Sequence, residues 1–344
     1  MPRVIGIDPG TVSIDLCGLD AGRVWLDRTL PTADALGDPS LLPTLLGAAG
    51  APDLIAGPSG YGLPLVRAAE ATESDLRLAF LGGEGEEGGI GGLRRLARQF
   101  ADSHLPIVYT PGVIHLPTVP KHRKLNRVDM GTADKVAAAA LGVWDQTRRL
   151  GSGPTAASFI LLELGGAFTA ALAVNQGAIV DGQGGTSGPM GWRSSGAWDG
   201  EVAFLAGTVH KEMLFRGGSE LDATEQAGAG LEAYVEGAHK AVLALTASLP
   251  RPREILLSGR HATDPSVRAG LAPRLEAIAP VRDLAGFARI AKQGAQGAAI
   301  IADGLAGGEH AALVEALRLR EARGTVLDYL RVISPETARR RIGL

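Results

Sequence analysis

Shifted by 155 residues without a gap, IDPGTVSIDLCGLDAGRV (7–24) falls on LELGGAFTAALAVNQGAI (162–179). A chain that restates a pattern half its length later is constrained to build the same unit twice. Each copy reads as an apolar run, a glycine turn, a second run, a tight corner and a third run. The corners coincide, DAG at 20–22 over NQG at 175–177, and each places Gly where a short hairpin turn calls for positive φ. Asp8 closes the first run, and Glu163 stands at the same place in the second copy. Beyond the hairpins both halves alternate short apolar runs with helical patterns. In the first half these are PDLIAG (52–57), GLRRLARQFA (92–101), LPIVYT (105–110) and a helix over 131–150. In the second they are a helix over 230–249, EILLSG (254–259) and a helix over 292–307. Strands in a meander, then strands alternating with helices, predict an α/β chain with two mixed sheets flanked by helices and a cleft between the units.

The length of 344 residues suits two domains of roughly 150 residues each. GSGPTA (151–156) has a linker's composition, so the expected domains are 1–150 and 151–344. The second ends in a helical tail from Glu309 whose ARRRIGL terminus reads as a solvated face. With 45% hydrophobic residues and mean hydropathy +0.12 the chain can bury real cores. Its 34 Lys and Arg against 37 Asp and Glu give a net charge of −3, which offers no basic field for a nucleic acid. The single cysteine, Cys17, cannot close an intrachain disulfide and suits a reducing compartment. MPRVIGID lacks the marks of a signal peptide, and no run reaches the ~18 apolar residues of a membrane span. A cytoplasmic protein with no membrane partner is expected, with a homodimer as the oligomer to test. The acidic glycine stretch 82–92 is expected to be an exposed loop, either a connector or a lid. The Pro-rich segment 110–132 gathers His115, Lys121, His122, Arg123, Lys124 and Arg127 and either meets an anionic substrate or is solvated. The two histidines, without cysteine partners, are poor zinc ligands.

A strand that ends in a carboxylate and turns through glycine is a way to hold a phosphate and its metal. Backbone N–H groups of a bare turn can approach phosphate oxygens, while the carboxylate holds Mg²⁺ directly or through water. Gly10, Thr11 and Ser13 after Asp8, and Gly165 and Gly166 after Glu163, meet that need in both halves. Metal-dependent nucleases and ATP-using phosphotransferases both begin this way, and the net charge weighs against the nuclease.

The duplicated unit resembles the acetate and sugar kinase, Hsp70 and actin superfamily, which implies two RNase H-like (actin-like ATPase) domains gripping ATP and Mg²⁺. Residues 160–196 look like the second-domain segment of the butyrate kinase branch of the acetate kinase group. The shared order is a Gly-Gly turn (Gly165-Gly166), a hairpin ending in Asp181, then Gly188-Pro189 leading to Arg193. IDPGTVS resembles that branch's opening, and EILLSGRHATDPSVRAGLAPRLEAIAPV with GAQGAAIIADG resembles its adenosine-binding strand and closing helix. The resemblance implies that Asp8 and Glu163 organise Mg²⁺, that the glycine turns cradle phosphates, and that Ser258, Gly259 and Arg260 lie by the nucleoside. Three positions depart from it, Asp8 for Asn, Asp15 for Lys and Glu163 for the His before the glycine turn. Two carboxylates facing one cleft would suit a metal. The implied activity is phosphorylation of a small carboxylic acid to an acyl phosphate. A carboxylate acceptor is already ionised and needs no base, and Arg193 can bind it in a bidentate way. A kinase acting on a hydroxyl, with Asp134 or Asp181 as base, is the first alternative, although Asp134 also reads as a first-turn helix charge. A nucleotide-dependent switch on the same fold is the second. A nuclease is the third, since IGIDPG also resembles the opening of Holliday-junction resolvases.

Overall fold

The computed structural model describes residues 1–10, 12–38, 40–48, 50–57, 60–82, 90–222 and 228–344. The first sheet holds β1 (Arg3–Pro9), β2 (Ser13–Asp20), β3 (Arg23–Pro31), β4 (Leu54–Gly57), β5 (Val66–Arg67) and β6 (Ile107–Tyr109) in the order β3-β2-β1-β4-β6-β5. The second holds β7 (Ser158–Leu164), β8 (Thr169–Asn175), β9 (Ala178–Gln183), β10 (Glu254–Ser258) and β11 (Val281–Asp283) in the order β9-β8-β7-β10-β11. In both, the leading strand is antiparallel to its hairpin partner and parallel to the strand on its other side. The repeat extends to irregularities. Register shifts fall between Gly18 and Leu19 and, at the same offset, between Ala173 and Val174. Ala21-Gly22 and Gln176-Gly177 turn the two hairpins with φ of 50° and 73°, and 52° and 75°. Positive φ at both central residues is the two-residue turn whose twist matches the strands it joins.

Helices α1 (Thr32–Gly37), α2 (Leu41–Ala48), α3 (Glu73–Phe80), α4 (Ile90–Asp102), the short α5 (Lys121–Lys124) and α6 (Ala133–Leu150) belong to the first half. The second half adds α7 (Gly200–Ala206), α8 (Ala229–Thr246), α9 (Pro265–Glu276), α10 (Gln293–Leu305), α11 (Ala311–Ala316) and α12 (Pro335–Arg341). Period-two burial sorts β1 into two faces. Ile5 and Ile7 pack with Leu42, Leu46 and Phe100 on the outer side, whereas Val4 joins α6 and α10 in the central core. Phe159 and Leu161 of β7 also point into that core, and Ile160 and Leu162 pack under α8 and α9. Coverage on both faces explains why these strands read as unbroken apolar runs.

The terminal helices are exchanged. α10, from the second half, lies on the first sheet so closely that a Cβ at Gly6 would sit 2.1 Å from the Ala299 nitrogen. α6, from the first half, lies on the second sheet, where a Cβ at Gly142 would meet the Phe159 ring at 2.7 Å. The two helices meet at Gly297 and the Ala137 carbonyl. Because each βα step starts its helix at the carboxyl end of the strands, the exchange brings the N-termini of α6 and α10 to the same end as Asp8 and Glu163.

Of the expected loop at 82–92, residues 83–89 lie outside the described residues, and Ile90–Gly92 instead form the first turn of α4. Burial of Leu96, Ala97 and Phe100 outweighs the cost of the glycines, about 1 kcal/mol each in a helix. The basic segment is divided: Lys121, His122 and Arg127 are exposed, whereas Arg123 is half-buried and Lys124 and His115 are buried. Arg123 donates to the Val180 carbonyl at 2.6 Å, Arg127 to the Ser187 carbonyl at 3.2 Å, and the buried Lys124 to the Leu116 carbonyl at 2.7 Å. It fastens the first half to the second. The tail returns to the first half, where Arg77 donates to the Ile342 and Gly343 carbonyls. Cys17 is fully buried, and burial pushes its thiol up to about 12, which makes it inert. Among the described residues no helix is long and apolar enough to cross a membrane.

Candidate active cleft

Asp8, at the end of β1, and Glu163, at the end of β7, open on one small cleft. Asp134 and Ala138 of α6, Ser258 and Gly259 after β10, and Lys292, Gln293 and Gly294 at the start of α10 complete its lining. Ser258 is in register with Glu163 on the neighbouring strand, so the turn after β10 lies beside the carboxylates. Gly259 holds φ +89°, and a Cβ there would meet the Leu164 carbonyl at 2.5 Å, so this corner needs glycine. The Ser258 hydroxyl is buried without a hydrogen-bond partner among the described residues.

The two strand-end carboxylates differ in surroundings. Asp8 packs against the start of α10, where a Cβ on Gly294 would lie 2.4 Å from its Oδ2. No hydrogen-bond donor among the described residues serves its carboxylate. Burial, then the charge of Asp134, pushes its carboxyl up to about 7. Glu163 instead accepts from the Lys135 ammonium at 2.7 Å, and the same ammonium reaches Asp134 Oδ2 at 2.6 Å. Burial still raises the Glu163 carboxyl, with Lys135 opposing. Asp134 is held low, because Lys135 and the Thr132 hydroxyl outweigh its burial. Burial works against a charged Lys135, but Asp134 and Glu163 prevail and raise its pKa.

A second lysine serves the first hairpin. Lys292, at the N-cap of α10, lies 3.2 Å from Asp15 Oδ2 and contacts the Ser13 hydroxyl, which itself donates to Asp15 at 2.8 Å. Of the three departures from the butyrate kinase pattern, Asp15 and Glu163 are thus each matched by a lysine from a helix N-terminus. Asp8 is not. Neither Lys135 nor Lys292 is evident as a site residue in the sequence. A signal was present, since a cation in the first turn opposes the helix dipole, and breaches of a local rule gather at functional sites.

The structure brings Asp8, Asp134, Glu163, Ser258 and Gly259 together. Gly10 donates to the Ser13 carbonyl at 2.8 Å and accepts from the Thr32 hydroxyl at 2.7 Å, closing the first turn beside Lys292. Gly165 closes the second turn on the Phe168 carbonyl at 3.0 Å. Arg260 runs past Gly166, its Cδ 4.0 Å from where a Cβ there would stand. Arg193 does not line the cleft floor. Its backbone N–H donates to the Ala167 carbonyl at 3.1 Å, which straps its loop beside the second turn. Thr11 lies outside the described residues. Asp181 is elsewhere, 3.7 Å from the Arg123 guanidinium and hydrogen-bonded by the Ser248 hydroxyl.

A cation fits beside Asp8, a carboxylate facing a cleft with no partner of its own. Among the described residues no three His, Cys, Asp or Glu side chains form a metal cage. Mg²⁺ is commonly held by one or two carboxylates, with water and phosphate completing its shell. Glu163, expected to share that metal, has one oxygen committed to Lys135.

The sequence pattern of the family described as "Protein of unknown function (DUF1464)" matches residues 6–332. The chain belongs to that family. No curated protein matches it by sequence. Among solved structures, a propionate kinase from Francisella tularensis subsp. tularensis SCHU S4 superposes with TM-score 0.55 at 14% identity, over 86% of this chain and 99% of that one. The acetate kinase from Entamoeba histolytica gives 0.54 at 10% identity, over 80% and 86%. Porphyromonas gingivalis acetate kinase gives 0.53 at 15% identity, over 81% and 88%. The chain therefore has the two-unit fold of the acetate and propionate kinases, with two mixed sheets flanked by helices.

Proposed function

We propose that this protein transfers the γ-phosphoryl group of Mg-ATP to a small carboxylic acid, forming an acyl phosphate in the manner of the butyrate kinase branch. The observation that carries the choice of acceptor is the engagement of the other carboxylates. A hydroxyl acceptor calls for a positioned base to take its proton. Asp134 has one oxygen on Thr132 and the other on Lys135, and Asp181 is tied to Arg123 and Ser248 outside the cleft. A carboxylate acceptor needs no base, and the demand reduces to positioning and charge neutralisation.

In this reading the turns closed by the Gly10 and Gly165 N–H groups, with Gly166 and the Gly259 corner, carry no side chains that would keep the phosphates from the backbone. Ser13 and the Ser258 hydroxyl, unpartnered among the described residues, stand beside them, Thr11 would add its hydroxyl, and Arg260 lies toward the nucleoside. Asp8 holds Mg²⁺, which when bound neutralises phosphate charge. Arg193, on the loop beside the second turn, binds the acid. The test is ADP release from ATP over a panel of short acids and polyols, with hydroxylamine present to trap acyl phosphate as a hydroxamate. Hydroxamate formation with an acid is the expected result. ADP release with polyols alone would reject the carboxylate acceptor.

A further inference from the structure

Lys135 sits where ordinary folding economy would not put a cation. It is the third residue of α6, in the turn where the helix dipole repels positive charge, and its side chain is only 16% exposed. Its partners, Asp134 and Glu163, come from two different units of the fold. A buried ion pair of this kind is a poor stabilising device, since apolar residues of similar volume usually do as well. It does keep a compact ammonium in contact with Asp134 and Glu163, two of the carboxylates that line the cleft. The nearby Ser258 hydroxyl has no hydrogen-bond partner among the described residues, and the Gly259 corner admits no side chain. Carboxylates outnumber cations in this cleft, so the ammonium and the hydroxyl are the donors left for an anion that arrives with its own cation.

We propose that Lys135 is a catalytic residue whose ammonium swings from Glu163 to the γ-phosphate of bound ATP and stays with the phosphoryl group through transfer. Glu163 is its positioning residue, holding the ammonium while the cleft is empty. Asp134, fixed by Thr132, keeps the lysine charged throughout. This rests on the phosphotransferase reading and assigns within it the group that offsets the transferring charge. In the step itself an acceptor carboxylate oxygen forms a bond to the γ-phosphorus while the bond to the β,γ-bridging oxygen breaks. The electron pair leaves on ADP and no proton is transferred. Negative charge spread over the three equatorial oxygens is what a fixed ammonium stabilises.

The test compares wild type with Lys135→Met and with the Lys135→Met/Glu163→Gln double variant, which removes the carboxylate left unpaired. Melting temperature checks folding, so the double variant decides if the single one is unfolded. Two readouts are taken, turnover with the best acid and calorimetric affinity for ADP and for a non-hydrolysable ATP analogue. The expected loss in kcat is about 100- to 1,000-fold, the cost of deleting one preorganised donor to developing charge. The acid's KM should hardly move. The preference for the ATP analogue over ADP should vanish while ADP affinity persists, because only the former carries the γ-phosphate. A folded variant with wild-type kcat and an intact preference for the analogue would overturn the assignment of Lys135 alone. Wild-type protein that neither binds nucleotide nor releases ADP would instead overturn the phosphotransferase reading, and this assignment with it.

Discussion

The turn at Asp8 and the turn at Glu163 share a seven-residue leading strand, its pairing, a register shift at equivalent positions and the same kind of hairpin corner, yet their carboxylates have different partners. Glu163 has a lysine within hydrogen-bonding distance. Asp8 faces the same cleft with no donor among the described residues and a carboxyl pushed up to about 7. Duplication therefore fixed the backbone twice, and chemistry diverged through what each exchanged helix places opposite the strand end. α6 brings a cation to Glu163, whereas α10 brings Gly294 to Asp8 and directs its own lysine to Asp15. The unmatched carboxylate is the one suited to an exogenous cation.

The strongest way to break this contrast is Asp8→Asn. If Asp8 alone meets the metal, its loss should lower kcat by about 100- to 1,000-fold with little change in the acid's KM, since metal charge matters most where phosphoryl charge reorganises. Steady-state kinetics over a Mg²⁺ series would show it. Glu163→Gln should leave the Mg²⁺ dependence where it was. Equal shifts in Mg²⁺ dependence from both substitutions would erase the distinction between the turns.

Arg193→Ala separates the acid from the phosphates. A bidentate charge-assisted contact is worth on the order of 2–3 kcal/mol, so the KM for the acid should rise roughly 30- to 150-fold with nucleotide affinity unchanged. Unchanged kinetics would return Arg193 to a purely structural place on its loop.

A smaller effect concerns stability in the absence of metal. A carboxyl whose folded pKa lies above its unfolded value binds more protons in the native state between those two values, so it lowers stability as pH rises through that window. For Asp8 the window runs from the model-peptide value of 3.8 to about 7. Wild type should therefore lose stability relative to Asp8→Asn across it, with the gap constant above. Between pH 5 and pH 8 the gap should widen by on the order of 2 kcal/mol, since about two pH units of the window lie above pH 5. Denaturant melts with EDTA at pH 5 and pH 8 measure it, and parallel curves would mean that Asp8 is not the unmatched carboxylate described. The smallest expected change is from Asp181→Asn. Asp181 lies away from the cleft with Arg123, so turnover should not change. A loss there would favour a hydroxyl acceptor with a remote base.

Much of the architecture was legible because it is local and repeated. The hairpins, the strands at 54–57, 107–109 and 254–258, and the helices at 133–150, 229–246 and 293–305 follow from periodicity and turn chemistry that a single sequence displays. The helix exchange was not legible. Its marks are Gly6 inside a strand and Gly297 inside a helix, and nothing local says that the two belong to one crossing. For the same reason Asp134 stood out as an acid at a helix start while nothing singled out its neighbour Lys135. Its partner Glu163 is 28 residues away, on a strand of the second sheet. The docking of the basic segment was equally illegible, since the acceptors of Arg123 and Arg127 are carbonyls of the second half, and carbonyls leave no trace in composition.

The central claim, that the paired turns hold the phosphates of a magnesium-bound nucleotide, is tested most directly by calorimetric titration of the purified chain with ADP, with and without Mg²⁺. The account predicts one nucleotide per chain, tighter binding with Mg²⁺, and a melting temperature that climbs with ligand as native-state binding requires. Asp8→Asn should abolish the Mg²⁺ increment while weak binding of ADP persists. No heat and no thermal stabilisation by Mg-ADP or Mg-ATP at millimolar concentration would contradict it.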